Sequence, residues 1–513
     1  MSDVDVLLGQ SYFLRFDPKL SDAQQPYAPL GTLYAAAWLR ERGYRVALFD
    51  AMLADSEDEW ADALDRGRPR VAVLFEDSFN YLSKLCLLRM REAAFAMIRM
   101  ARDRDCPIVV CGPDATDHPA LYLQAGAAAV IAGEGEVTLQ AVVDVWLAGG
   151  AARLKDVAGL WLPGPDGGAR PTPARDRLRD LDALPPPAWD LVDVERYRAL
   201  WRTRHGYFAM NAVTTRGCPY HCNWCARPVY GQRYAVTSPA RVAAHVAALR
   251  DTYRPDCLTF VDDIFGLTPG WVEAYADRMV ETGSVVPFKC LLRADLVGDR
   301  IVSALVRAGC ESVWMGAESG SQKILDAMDK GTRVDQIERG TRLLQDAGIA
   351  VGWFLQFGYA GETWEDIQLT RAMLRRTAPD DIGVSISYPL PGTNFYEKVR
   401  AQLGEQRNWR DSDDLAMMYH GAYSTAFYRA LHRLVHTEFR MRRAARGVRA
   451  ALRHPATIRL RRHGRIALSA ARHALALPVA RARVARLARD PGGVATPIAM
   501  PHQLAAAPRR QEP

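Results

Sequence analysis

Thr214-Thr215-Arg216-Gly217-Cys218-Pro219-Tyr220-His221-Cys222-Asn223-Trp224-Cys225 places three cysteines within eight residues in a C-x3-C-x2-C pattern. Gly217 and Pro219 mark the stretch as a loop, and three thiolates on one loop can converge on a single soft centre. Thiolates suit iron–sulfur or zinc far better than magnesium or calcium. A structural zinc site usually takes four protein ligands, so three local cysteines point to a cluster with one iron left open to a substrate or cofactor. Two alternatives stand beside this: three unrelated core cysteines, or a zinc site completed by His221. The latter would have to turn back onto the loop from the position just before Cys222.

Strand and helix signals alternate around this loop. Candidate strands begin near Met210, Cys257, Val286, Ser312, Ala350 and Ile382, with helical patterns such as Pro239 to Arg250 and Val334 to Ala347 between them. Six strand–helix units predict a partial (β/α)6 barrel over residues 206–400, with the cysteine loop after its first strand and the chemistry at the strand ends. Polar residues gather at those ends: Asp262 and Asp263, Arg293, Glu318-Ser319-Gly320, and Gly358 with Glu362. The planar fork of Arg293 suits a carboxylate. Glu318 can accept hydrogen bonds from amino or hydroxyl groups, and Gly320 permits close backbone approach.

Residues 1–150 also alternate. Val4–Leu8, Tyr44–Phe49, Val71–Phe75, Pro107–Cys111 and Ala128–Ile131 read as strands with helix-compatible segments between most of them. That order predicts a parallel, Rossmann-like sheet covered on both faces, whose ligands sit at the carboxyl ends of the strands. Gly112-Pro113-Asp114 and Gly133-Glu134-Gly135-Glu136, with Thr138, fall at such ends. A bare scaffold whose glycines only make turns is the alternative. Residues 151–205, with Pro163–Gly168 as a turn and Pro185-Pro-Pro-Ala-Trp189 as a stiff extended stretch, read as a linker.

The cysteine triplet with Trp224 before its last member resembles the signature of the radical S-adenosylmethionine (SAM) superfamily. The resemblance implies a [4Fe–4S] cluster on Cys218, Cys222 and Cys225, an open iron chelated by SAM, and one-electron cleavage of SAM to a 5′-deoxyadenosyl radical. Trp224 would then cover the cluster or pack on adenine. Gly-Ala-Glu318-Ser319-Gly320-Ser, continuing to Leu325, Met328 and Thr332, is similar to the G-x-E-S-G-S segment of the methylthiotransferase and B12 subset. In that subset the position of Asp262 and Asp263 contacts the SAM amino group. Gly358-Tyr-Ala-Gly-Glu362 resembles the G-x-P-G-E-T loop with Ala360 in place of proline, and Tyr388–Thr393 resembles a late loop near the adenine.

Pro29–Ala36, Glu41–Val46 and Gly133–Glu136 resemble the N-terminal cobalamin-binding domain of B12-dependent radical SAM enzymes. Gly112, Gly133, Glu134, Gly135 and Thr138 are the cofactor-binding candidates there. The D-x-H-x-x-G motif is absent, so the resemblance implies no histidine on the lower face of cobalt. The expected activity is methylation of an unactivated carbon of a small molecule. The alternatives are an oxidative cyclase or rearrangement enzyme resembling anaerobic magnesium-protoporphyrin cyclase, and a non-enzymatic metal- or cobalamin-binding protein. A methylthiotransferase fits less well, because the N-terminal half carries no cysteine triplet for a second cluster.

Hydrophobic residues at 49% and charged residues at 24% fit a globular protein. No apolar run has the length of a membrane span and no signal peptide is read, so the expectation is cytoplasmic; the resemblance implies an electron donor such as flavodoxin or ferredoxin. The cysteines at 86, 106, 111, 257, 290 and 310 read as reduced core residues. Residues 440–489 hold fifteen arginines and no lysine, aspartate or glutamate, so the rest of the chain is net acidic although the whole is +7. The 401–513 extension reads as a basic helical tail, its apolar positions at Phe427, Leu431, Leu434, Val435 and Phe439. A solvated or disordered extension, and peripheral contact with an anionic membrane, are both consistent with it. The tail lacks aromatics interleaved with its arginines for base stacking, which argues against nucleic acid, and disorder is expected after Pro491.

Overall fold

The computed structural model describes residues 4–79, 87–225, 229–403, 410, 415, 417–453 and 460–489. Cys86 and the segment after Pro491 lie outside the described residues.

The first sheet is built from β1 (Val6–Gly9), β2 (Val46–Leu48), β3 (Val71–Phe75), β4 (Ile108–Cys111) and β5 (Ala129–Ile131), all parallel in the order β2-β1-β3-β4-β5. Strands buried on both faces need apolar side chains in both directions, which is why Val71–Phe75 and Ile108–Cys111 are unbroken apolar runs. One face is sealed by Trp60, Met97, Ile98 and Tyr122, the other by Leu39, Leu139, Val142 and Val143. The chain changes direction across the sheet between β1 and β3, which makes their carboxyl ends the natural crevice for a ligand.

Residues 151–205 are more than a connection. β6 (Leu160–Pro163) pairs antiparallel with β5, and β7 (Ala169–Pro171) with β6, so the turn at Pro163–Gly168 closes a hairpin that extends the first sheet. The following helix, Val194–His205, buries Tyr197 and Trp201. The Trp201 indole N–H donates to the Pro26 carbonyl at 2.7 Å and the Tyr197 hydroxyl to Asp50 at 2.7 Å, which fastens this helix to the N-terminal unit.

The second sheet contains β8 (Ala209–Ala212), β11 (Cys257–Phe260), β12 (Phe288–Leu292), β13 (Cys310–Glu318), β14 (Ala350–Phe357) and β15 (Asp381–Ile386). All six are parallel and in sequence order, β8 to β15, giving an open partial barrel. Between β8 and β11 runs a short antiparallel ribbon, β9 (Thr215–Arg216) with β10 (Ala235–Val236), and the cysteine loop is the excursion of that ribbon. Cys106, Cys111, Cys257, Cys290 and Cys310 are free and buried, as core cysteines should be.

The tail is helical, and its apolar stripe is used inside the protein. Phe427, Leu431, Leu434, Val435 and Phe439 share one face of the helix Thr425–Arg453, and that face is buried in the barrel core rather than against solvent or lipid. Glu438 on the same helix accepts from Arg371 at 2.6 and 3.1 Å and from Arg481 at 3.0 and 3.2 Å, tying both tail helices to the barrel helix Trp364–Thr377. No helix among the described residues is long and apolar enough to cross a membrane.

Candidate functional site

Gly217 opens the cysteine loop at φ +81°, and a Cβ there would land on the Arg233 carbonyl oxygen, so only glycine lets the ribbon close. The loop is then pinned from below by Asn223. Its side-chain amide donates to the Ala327 carbonyl at 2.7 Å and to Asp329 at 3.1 Å, its backbone N–H to the Met328 carbonyl at 3.0 Å, and its side-chain oxygen accepts from the Tyr359 hydroxyl at 2.7 Å. Cys218 and Cys222 are half-buried and Cys225 is exposed. They act on one another electrostatically, and Cys225 also feels Asp263 and Lys330.

Among the described residues no three His, Cys, Asp or Glu side chains are grouped to hold a single metal ion. A tetrahedral zinc with Zn–S near ~2.3 Å needs sulfurs only about 3.8 Å apart, whereas a four-iron cluster is bound at its corners and takes thiolates set wider. His221 is turned to the outside, its Nδ1 paired with the Gln232 amide at 2.6 Å. With His221 turned away, the loop offers three thiolates and no fourth ligand of its own, the donor set of a cluster with one open iron rather than of a four-ligand zinc site. Arg293 and Lys330, both acting on Cys222, supply the positive charge that an anionic cluster with three thiolates requires nearby.

At the end of β13 Glu318 takes a left-handed φ of +54° and accepts from the Lys330 ammonium at 3.0 Å, both side chains being buried. Gly316 leaves the room for that pair, since a Cβ there would collide with both charged ends. Lys330 sits in the turn after the helix Gln322–Ala327, and a lone lysine in a turn carries no periodic signal by which the sequence could have marked it. The Trp224 ring lies 5.9 Å from the Lys330 ammonium and packs on the cluster of Ile324 and Met328.

Several strand-end residues have partners other than those expected. Asp262 is buried and accepts four hydrogen bonds, from the Thr214 and Thr215 amides at 2.7 Å each and from their hydroxyls at 3.0 and 2.9 Å. It therefore holds the ribbon, and burial pushes its carboxyl up to about 6; Asp263, beside the cysteines, is the member of the pair placed toward the loop. The fork of Arg293 is filled by Asp295 at 2.9 and 3.2 Å, with a further bond to the Lys330 carbonyl at 2.9 Å, and its guanidinium lies 3.5 Å from the Tyr220 ring centroid. It braces the loop against the Lys330 turn instead of presenting an open fork. Gly320 permits close approach to a helix: a Cβ would stand 2.6 Å from the Leu369 carbonyl oxygen, and Ser319 and the Gly320 amide both bond Thr370. Gly358, at φ +79°, donates to Glu362 at 2.7 Å; burial pushes the Glu362 carboxyl up to about 8.

In the N-terminal unit Gly112 makes room for Glu76, whose Cβ and Cγ a Gly112 side chain would meet at 2.7 Å, and Gly135 makes room for Phe75 and Cys111. Thr138 is buried beneath Gly159. All three are packed against the chain's own side chains. Gly133 lies two residues past β5 with φ +73° and faces the Val229 carbonyl, 3.5 Å from where its Cβ would be. Glu134 and Glu136 do something the sequence did not indicate. Both pair with Arg216, the residue immediately before Gly217, in a fully buried triad in which Arg216 Nη2 lies 2.6 Å from Glu136. Phe79, just past β3, stacks on Tyr230 of the cysteine hairpin at 5.5 Å. The carboxyl edge of the first sheet thus faces the loop that carries the cysteines.

The comparisons agree with this geometry. Residues 212–374 match the family model of the radical SAM superfamily and residues 20–143 that of the B12 binding domain. An uncharacterized methyltransferase of Pyrococcus horikoshii is 27% identical over 391 residues, covering 74% of this chain and 81% of that protein. The anaerobic magnesium-protoporphyrin IX monomethyl ester cyclase of Rubrivivax gelatinosus is 25% identical over 384 residues, 73% of this chain and 66% of the cyclase. Among solved structures, the cobalamin-dependent SAM radical enzyme OxsB with aqua-cobalamin bound superposes with a TM-score of 0.71 at 15% identity over 93% of this chain and 72% of that one. The radical SAM methyltransferase TsrM of Kitasatospora setae, with cobalamin and [4Fe–4S] bound, gives 0.64 at 18% identity over 78% and 75%. The chain therefore carries a radical SAM domain and a B12-binding domain, and the cofactors that these domains imply are a [4Fe–4S] cluster and SAM for the first and cobalamin for the second.

Proposed function

We propose that this chain is a B12-dependent radical SAM methyltransferase that methylates an unactivated carbon of a small molecule. The observation that carries the reading is the Arg216 triad, which fixes the ligand edge of the B12-binding domain against the cluster loop. The bound cofactors supply the carbon radical and the methyl group; the chain brings them together and excludes water and oxygen. Cys218, Cys222 and Cys225 hold the cluster, Asp263 and Glu318 receive the SAM amino and hydroxyl groups, Lys330 balances Glu318, and Trp224 covers the site. A cytoplasmic location, a donor such as flavodoxin or ferredoxin, and peripheral contact of the basic tail with a membrane complete the reading. Oxidative cyclisation is the second reading, supported by the cyclase relative of similar identity.

With reductant, SAM, cobalamin and a metabolite extract from cells lacking the gene, the reconstituted enzyme should form 5′-deoxyadenosine and S-adenosylhomocysteine together, with a methyl label entering a product. Deoxyadenosine without the homocysteine product would favour cyclisation or rearrangement, and absence of both would sink the proposal.

Glu318→Gln and Lys330→Met should each weaken SAM binding by roughly ten- to a hundredfold, the value of about 1.5–3 kcal/mol for a charge-assisted contact, while the cluster absorbance persists. Equilibrium binding of SAM reads this directly; unchanged affinity in both variants would remove Glu318 from the cofactor site.

A further inference from the structure

The second tail helix, Leu460–Leu487, turns only part of its apolar surface inward. Leu477 and Val484 are buried, and Arg481 is bonded to Glu438. Leu468, Leu475 and Val479 are 72%, 80% and 71% exposed. Their spacing of seven and four residues sets them in one row on the helix. Arg465, Arg472, Arg483 and Arg486 are exposed, and all four fall within one turn-width of that row. Leu452, at the end of the neighbouring helix Thr425–Arg453, is 69% exposed as well.

We propose that this outward face is a docking surface for an anionic phospholipid bilayer, with the helix lying in the plane of the headgroups. The proposal deepens the peripheral contact suggested above and assigns it to Leu468, Leu475 and Val479, because the Phe427–Phe439 face is already spent on the barrel. Charge complementarity selects the occupant. No carboxylate lies between residues 440 and 489 to oppose a negatively charged surface, and all the cations there are arginines, which fork onto phosphate oxygens while their stems cover apolar surface. The exposed leucines require a partner with an apolar layer directly beneath its phosphates. A bilayer has that layer; a polynucleotide does not, and the segment has no Phe, Tyr or Trp on which bases could stack.

The test is co-sedimentation of the reconstituted full chain with vesicles of phosphatidylcholine alone or with phosphatidylglycerol added. Binding is expected to the anionic vesicles only, weakening as salt is raised. Leu468→Ser/Leu475→Ser/Val479→Ser should reduce it at least tenfold. Arg472→Gln/Arg483→Gln/Arg486→Gln should reduce it by about a hundredfold, at roughly fivefold for each arginine near the surface. Both variants alter only exposed positions, so circular dichroism and SAM cleavage serve as controls. Failure of wild type to bind anionic vesicles would overturn the proposal. So would full binding by the apolar triple variant, since the face would then be a site for a polyanion or an acidic protein. Deoxyadenosine formation in the same preparation reports on the enzymatic reading separately.

Discussion

Replacing Cys218, Cys222 and Cys225 together by alanine is expected to abolish the [4Fe–4S] cluster and all reductive cleavage of SAM. The thiolates are the protein's covalent hold on the iron. The neighbours that act on the loop electrostatically, Asp263, Arg293 and Lys330, include no sulfur that could stand in. The loop itself should survive the change. Its course is set by Gly217 and by the bonds of Asn223 to Ala327, Met328, Asp329 and Tyr359, none of which uses a cysteine side chain. The variant should therefore remain folded, with iron and acid-labile sulfide absent after anaerobic reconstitution and no 5′-deoxyadenosine formed. A cluster persisting in this protein would place the iron elsewhere in the chain.

Arg216→Gln should be the most damaging change outside the cysteines. Arg216 is 4% exposed and lies between Glu134 at 7% and Glu136 at 2%. Removing it leaves two carboxylates buried with their principal cation gone, a situation that costs about 3–5 kcal/mol. Because those carboxylates lie in the loop and at the helix start that follow β5, and Arg216 in the ribbon bearing the cysteines, the damage should appear in two places. Denaturant unfolding should shift to lower concentration, and cobalamin binding should weaken while the cluster still assembles. Arg216→Met combined with Glu134→Gln and Glu136→Leu removes all three charges and should recover much of the lost stability, since a neutral, well-packed replacement of a buried ion network is often tolerated. Equal stability of Arg216→Gln and the parent would show that the triad is not what joins the two units.

The parts of this protein legible in its sequence are those governed by local physics. Unbroken apolar runs located the strands at Val71–Phe75 and Ile108–Cys111 to within a residue, because a strand buried on both faces has no polar position to offer. The cysteine spacing, with Gly217 ahead of it, specified both the chemistry and the only residue able to turn the chain there. The allocation of partners was not local. Glu134 and Glu136 lie 82 and 80 residues from Arg216, so their resemblance to a cofactor loop concealed a bond between two folded units. Asp262, Arg293 and Gly320 likewise have the residue types of a SAM site, and the fold gives them protein partners that no local pattern announces: Thr214 and Thr215, Asp295, and the Leu369–Thr370 segment. The helical stripe from Phe427 to Phe439 was visible as a stripe, but periodicity says only that one face is apolar and not what covers it. A sequence thus determines which residues can turn, coordinate or bury. Which of several chemically competent partners each one meets is decided by packing over distances that no local pattern spans.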